Sequence, residues 1–474
     1  MSTAPEGLLD AFWAYENALM RNDITTLDRL FAPGPGTLRG DADGLLAGDE
    51  AIGAFRRARR GAPSRTIVDL HVRPIDEEHA LVVAVTAPHQ GGRGLQTQLW
   101  ERVDGEWLIT AAHVAAPPNT FDPAVWRVVG DPLVAPLGTG DLAGESVAVK
   151  DLIAVAGFAV GGGVPKYLAE QEPRRQHATT VRRLLAAGAS VRGIARTDQF
   201  AYSLDGDNPH YGTPVNAVVP GGLPGGSSSG CATAVALGAA TIGLATDTGG
   251  SIRVPASYQG LWGLRTTHGA TPMDGVLPLA PDFDTVGLLT RTPDLLGRAA
   301  AALLGPDQPD APVISGMVRW EQVSSELPAL DECYEAFRIH QAYQAWQVHG
   351  RWISAHPGAL AGSVRDRFAT AAQVTAADDE GARAALARLR ARLDDVLGDQ
   401  VLIMPTASGP APARWADPTQ LEVHRRSTLR LTCLAGITGR PVVAAPSTGA
   451  VGVSHLGPRG SESALIRLAA SHAG

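Results

Sequence analysis

A chain of 474 residues with 45% apolar side chains is long enough to bury two separate cores. Its formal net charge of -8 offers no basic field for nucleic acid, and no uninterrupted apolar run approaches the ~20 residues of a membrane span. A small-molecule partner and a cytoplasmic location are therefore expected, with neither nucleic acid nor membrane involved.

The opening stretch MSTAPEGLLDAFWAYENALM places acids where a secretory leader has basic residues. Within it, Thr3 and Glu6 have capping-box spacing, and Leu8 or Leu9, Phe12, Trp13 and Leu19 form an apolar helical stripe. A second short helix, DITTLDRLFA, ends at PGPG. Strands follow at RTIVDLHVR, HALVVAVTAP and LQTQLWERVDGEWLITAAHV, the last folded at the two-residue turn Asp104-Gly105. These elements predict a small α+β domain over residues 1–118. Proline and glycine then dominate AAPPNTFDP and PLVAPLGTGDLAG, which predicts a linker over 119–137. From 138 to 474, apolar segments such as SVAVKDLIAV, SVRGIA, TIGLAT and VLIMPT alternate with helical stretches such as ATTVRRLLAAGA and EGARAALARLRARLDDVLG. That order predicts an α/β domain with a buried mixed sheet flanked by helices. Cys231, Cys333 and Cys433 are isolated and odd in number, as expected of reduced structural thiols.

Of the 40 cationic residues only two are lysines, Lys150 and Lys166, leaving 38 arginines. Arginine stays charged in proteins, whereas burial can leave a lysine amine neutral and basic. Bringing a lysine from pKa ~10.4 to about 7 disfavours its ammonium by ~4 to 5 kcal/mol. Lys150 closes the apolar strand SVAVK, which delivers its amine to a buried setting.

Two serine sites stand in the stretch GLPGGSSSGCATAVALGAATIGLATDTGGSIRVPAS. The segment Gly226-Ser227-Ser228-Ser229-Gly230 has the G-x-S-x-G form of an esterase elbow, but the preceding NAVVPGGLPGG opposes the strand that an elbow requires. In the alternative reading, Gly249-Gly250-Ser251 lets successive backbone N–H groups converge on one oxygen, as an oxyanion hole does. Such a donor contributes ~3 to 4 kcal/mol to transition-state binding. Ser251 is then the nucleophile, Lys150 the base, and Ser227 a relay between them.

VKD, PGGSSSG and GLATDTGGSIRVPASYQGLWGLR together resemble the amidase signature family. That resemblance implies a Ser–cis-Ser–Lys triad of Ser251, Ser227 and Lys150, and an oxyanion hole from the backbone of Thr248, Gly249, Gly250 and Ser251. It also implies supporting hydrogen bonds from Ser228, and no metal or organic cofactor. FAYSLDGDNPHYGTPVN and GVLPLAPDFDTVG are similar to the indole-3-acetamide hydrolase branch. Departures from the family are Gln199 in place of glutamate, Ile194 in place of lysine, and Cys231 in place of a small residue. FWAYENALMRNDITTLDRLFAPGPGTLRG resembles the NTF2-like family of cyanuric acid degradation, which occurs alone as a dicarboxyurea amidohydrolase or fused ahead of amidases. It implies a cone-shaped fold, a pocket around Tyr15 and Arg39, and a homodimer formed through this domain. His71, His113 and His268 lack metal-ligand spacing and are expected to be structural, and Arg253 is expected to brace its loop. A Ser-His-Asp esterase and a non-catalytic binding protein are the rival readings.

Overall fold

The computed structural model describes residues 4–41, 44–58, 65–88, 94–115, 122–306, 312–447 and 451–472. The chain divides into two compact units, Met1–Thr120 and Phe121–Gly474.

In the first unit the helix Leu8–Arg21 starts behind Gly7, with no side-chain cap. Thr3, the first half of the expected capping box, lies outside the described residues. Leu8, Phe12 and Leu19 are buried as the stripe predicts, but Leu9 and Trp13 are exposed. Each sits one residue past a buried position, about 100° round the helix from the core face. The helix Ile24–Arg29 is capped by Asp23, whose carboxylate accepts the Thr26 N–H at 3.1 Å. Six strands follow: β1 (Leu38–Asp41), β2 (Gly44–Ala47), β3 (Arg65–Pro74), β4 (His79–Pro88), β5 (Gly94–Val103) and β6 (Glu106–Ala115). Their order is β2-β1-β6-β5-β4-β3, antiparallel except for the parallel pair β1/β6. Asp104 and Gly105 both adopt positive φ, which makes the tight turn between β5 and β6. Val82, Ala84, Trp100 and Ile109 join Phe12, Leu27 and Ile52 in one core.

The second unit is built on a ten-stranded mixed sheet. Its strands are β7 (Trp126–Val134), β8 (Ser146–Lys150), β9 (Ser190–Ala195), β10 (Ile242–Asp247), β11 (Trp262–Arg265), β12 (Thr285–Thr290), β13 (Gly316–Arg319), β14 (Gln400–Pro405), β15 (Val442–Ala445) and β16 (Val453–Leu456). They are ordered β13-β14-β16-β15-β11-β12-β10-β8-β9-β7, with helices packed against them. The expected linker needs correcting, because β7 occupies its second half and pairs with β9. An edge strand has one unpaired side, so it tolerates Pro132 and the breaks in register that make this segment read as a loop. Next to this edge, β10 runs parallel to β8, and β8 parallel to β9. The C-terminal ends of parallel strands are where open α/β sheets present their binding groups. Three long helices, Leu330–Ala355, Ala376–Leu397 and Pro418–Thr438, share a second core around Phe337, Leu389, Leu393 and Leu434.

Candidate active site

Strand β8 ends at Lys150, which is 0% exposed. Its Nζ lies 2.8 Å from Ser227 Oγ, 2.9 Å from Ser228 Oγ and 3.0 Å from Thr246 Oγ1, three partners for the three N–H bonds of an ammonium. Burial pulls the amine from its ordinary 10.5 down to about 8, against the pull of Cys231 and the nearby acids Asp198, Asp247 and Asp284. The neutral amine is therefore accessible near physiological pH, with its lone pair free to accept from a hydroxyl it previously donated to.

The serine-rich turn meets Lys150 from the opposite side. A Cβ at Gly226 would collide with the Asp198 carboxylate and the Gly206 backbone, so only glycine fits there. The Gly226–Ser227 peptide is cis. The Ser227 carbonyl accepts Thr197 Oγ1 at 2.8 Å, and Ser228 Oγ donates to the Thr246 carbonyl at 3.3 Å. The helix Ser229–Ala236 starts directly after Ser228, with no capping bond from its hydroxyl, and returns the chain to β10. Ser228 Oγ is thus engaged by Lys150 and Thr246, with no histidine partner among the described residues, which removes the elbow reading of this segment.

Beyond β10 the chain turns through Thr248, Gly249, Gly250 and Ser251 into the helix Arg253–Tyr258. Asp247 organises the turn by accepting the N–H groups of Gly250 at 2.9 Å and Ile252 at 3.0 Å. Burial opposes its charge, yet Arg253 and Arg265 hold it well below the usual carboxylate range. Arg253 contributes Nε at 3.0 Å and Nη2 at 2.8 Å, and the fully buried Arg265 contributes Nη1 at 3.0 Å. Arg253 is therefore a brace, as the sequence suggests. Two more bonds pin the turn: Thr248 Oγ1 donates to Asp284 at 2.5 Å, and Thr432 Oγ1 donates to the Gly249 carbonyl at 2.6 Å.

The expected oxyanion hole needs one correction. Gly250, at φ 126°, turns its amide inward to Asp247 and does not offer it to a ligand. The amides of Thr248, Gly249 and Ser251 have no acceptor among the described residues. Ser251 is 3% exposed, and no hydrogen bond joins it to Ser227 among the described residues. A Cβ placed on Gly249 would meet Leu429 at 3.1 Å and Phe337 at 3.4 Å. Both line a cavity of about 550 Å³ between the helices Leu330–Ala355, Gly362–Ala371 and Pro418–Thr438. The cavity thus abuts the turn that carries Ser251.

The departures from the family pattern have structural roles. Gln199 clamps the backbone of Ala361 with two bonds of 2.9 Å, holding one cavity wall. Ile194 is core, and Cys231 is buried with its thiol pushed up to about 12 by burial. In the first unit Tyr15 is buried against Phe31, and burial raises its pKa. Arg39 pairs with Asp41 at 2.6 Å and lies over the Phe55 ring, so no hydrogen bond joins it to Tyr15 among the described residues. Instead, Arg65 and Gln96 surround the buried Glu16. His71 pairs with Asp69 on the surface, and His268 Nε2 lies 2.9 Å from the Pro281 carbonyl. Asp247 and Arg265 stand inside the GLATDTGGSIRVPASYQGLWGLR motif, but nothing local marks them as partners. Thr432 carries no sequence signal at all.

Comparison with known proteins identifies the family of each unit. Residues 136–327 match the family described as Amidase, and residues 6–119 match the AtzH-like family. Amidase 1 of Arabidopsis thaliana is 30% identical over 413 residues, covering 74% of this chain and 97% of the relative. The 1-carboxybiuret hydrolase subunit AtzE of Pseudomonas sp. (strain ADP) is 39% identical over 185 residues, covering 37% of this chain and 40% of the relative. A crystal structure of an amidase superposes with a TM-score of 0.66 at 26% identity, covering 74% of this chain and 93% of that one. The chain therefore belongs to the amidase signature family, as an amidohydrolase of carbon–nitrogen amide bonds that carries an AtzH-like, NTF2-like domain ahead of its amidase region.

Proposed function

We propose that the protein hydrolyses a small primary amide through a Ser251 acyl-enzyme, with Ser227 and Lys150 as the proton relay. The observation that carries this reading is the buried Lys150 amine, poised near neutrality 2.8 Å from Ser227 Oγ. Neutral Lys150 takes the Ser227 proton as Ser227 takes the Ser251 proton, and Ser251 Oγ bonds to the amide carbon. The amides of Thr248, Gly249 and Ser251 are the donors nearest to hand for the resulting oxyanion. The proton returns along the same path to the leaving nitrogen, the C–N bond breaks, and ammonia departs. Water then cleaves the ester by the reverse relay, releasing the acid and free Ser251. The Ser251–Ser227 contact is one that substrate binding tightens, as hydrogen bonds of catalytic groups commonly do.

Aryl amides, aliphatic amides and carboxylated ureas are the substrate classes in view, the last because AtzE is a carboxybiuret hydrolase subunit. Ammonia release by the full-length protein, set against Ser251→Ala, tests the reading. Release that survives the substitution would move attention to Tyr15 and Arg39. Homodimerisation through the first domain rests on resemblance, and sedimentation of the full chain tests it. Cytoplasmic residence rests on composition, and fractionation tests it.

A further inference from the structure

One face of the helix Pro418–Thr438 links the Ser251 turn to a buried cation. Thr432 holds the Gly249 carbonyl, Leu429 packs on Gly249, and Arg425 is one further turn back on the same face. At 1.5 Å per residue, Arg425 stands about 6 Å beyond Leu429 and about 10 Å beyond Thr432 along the axis. Arg425 and Leu429 both line the 550 Å³ cavity.

The hydrogen-bonding capacity of Arg425 is incompletely met. Its side chain is only 10% exposed, and its one hydrogen bond among the described residues runs from Nη1 to Glu422 Oε1 at 3.1 Å. Arg367, 12% exposed on the facing helix, draws on the same carboxylate at 3.3 Å, on the Tyr202 carbonyl at 3.0 Å, and on Asp205 at 3.6 Å. The Nε atoms of both arginines are buried without a partner. Burial and the neighbouring Arg425 charge lower the Arg367 pKa. The other charged groups lining the cavity are occupied elsewhere: Arg338 with Glu335, Arg414 with the Thr213 and Pro214 carbonyls, Asp207 with Thr213, and Asp366 with Arg365.

We propose that Arg425, with Arg367 beside it, binds a carboxylate at the far end of the substrate's acyl chain. Guanidinium groups favour carboxylate partners in paired geometry, and a desolvated pair short of acceptors gains most from one. Glu422 is 53% exposed, so its carboxylate can leave Arg425 for water when a ligand takes its place. This rests on the amidase reading and narrows it to monoamides of linear dicarboxylic acids.

Calorimetry with Ser251→Ala protein, which binds without turnover, tests the proposal with adipic acid monoamide and its uncharged analogue hexanamide. The charged amide is expected to bind about tenfold tighter or better, equal to ~1.4 kcal/mol. Arg425→Met in the same background should abolish that difference while leaving hexanamide binding unchanged, and Arg425→Lys should keep part of it. Glu422→Gln should tighten binding of the charged amide. Equal binding of the two amides, a difference that survives Arg425→Met, or no binding of either would overturn the proposal. The amidase reading is judged separately, by ammonia release from neutral amides by the wild-type protein.

Discussion

The hydroxyl of Thr432 sits 2.6 Å from the carbonyl of Gly249, tying a helix 183 residues away in sequence to the turn that carries Ser251. Thr432→Val keeps the side-chain shape but removes this buried bond, and leaves the Gly249 carbonyl without its donor. A stability loss of about 1 kcal/mol is expected. A fall in kcat with little change in KM should accompany it, because the bond orients the turn rather than the substrate. Urea unfolding and steady-state kinetics on one preparation check both.

Turnover should follow the protonation of Lys150. The base works as the free amine, so kcat/KM is expected to rise with pH through about 8 and level off above it. Lys150→Arg retains charge but supplies no base, and activity should drop by at least ~1000-fold, as should that of Ser251→Ala. Ammonia-release rates between pH 6 and pH 10 give the profile, and wild-type-like turnover by Lys150→Arg would sink the mechanism.

The same amine weakens the fold. Its pKa is about 8 when folded and 10.5 ordinarily, so between these values the unfolded chain binds more protons and stability rises with pH. The full span corresponds to roughly 3 kcal/mol, and below pH 8 the whole penalty is present. Lys150→Met should abolish the part of this rise that Lys150 contributes while destroying activity. Chemical denaturation of both proteins at pH 7.5 and pH 10 measures the difference, and an identical rise in the two would refute it.

Beneath the turn, Asp247 depends on two buried guanidinium groups. Arg265→Met leaves Asp247 and the carbonyls of Asp247 and Phe283 short of a donor. Removing one member of a buried ion pair costs about 3 to 5 kcal/mol. The midpoint of urea unfolding should fall accordingly, whereas Arg388→Met on the exposed helix face should leave it nearly unchanged.

In the first domain the equivalent test falls on Arg65, whose Nη2 reaches Glu16 at 2.9 Å and Gln96 at 2.6 Å. Arg65→Met strands a buried carboxylate, and a loss of about 3 kcal/mol or more is expected. Arg39→Met removes a pair whose carboxylate, on Asp41, is 19% exposed against 7% for Glu16, and should cost less. Thermal melts of the full chain should rank the two.

Local chemistry explains what could be read from the sequence and what could not. The residues that meet at Lys150 are recognisable because strand, glycine turn and serine lie within short motifs that leave few folded alternatives. The hairpin at Asp104-Gly105 is recognisable for the same reason. The direction of the Gly250 amide is not, since a glycine in sequence does not say which way its peptide faces. Strand β7 is hidden by Pro132, which an edge strand tolerates and a central one does not. The helices Leu330–Ala355 and Pro418–Thr438 pack on several neighbours at once, so neither shows the single apolar stripe that marks a helix on one surface. The cavity they line, and with it Arg425, depends on contacts between segments nearly a hundred residues apart.

The scarcity of lysine has a practical consequence. Lys150 is sealed beneath its serines, while Lys166, with 60% of its side chain exposed, projects into solvent. Amine-directed reagents therefore meet one side-chain target on the folded protein. A fluorophore, a surface tether or a cross-linker coupled through an activated ester should attach at Lys166 and at the chain's α-amino group. The relay amine stays unmodified until the chain unfolds, so the appearance of label on Lys150 becomes a direct reporter of unfolding.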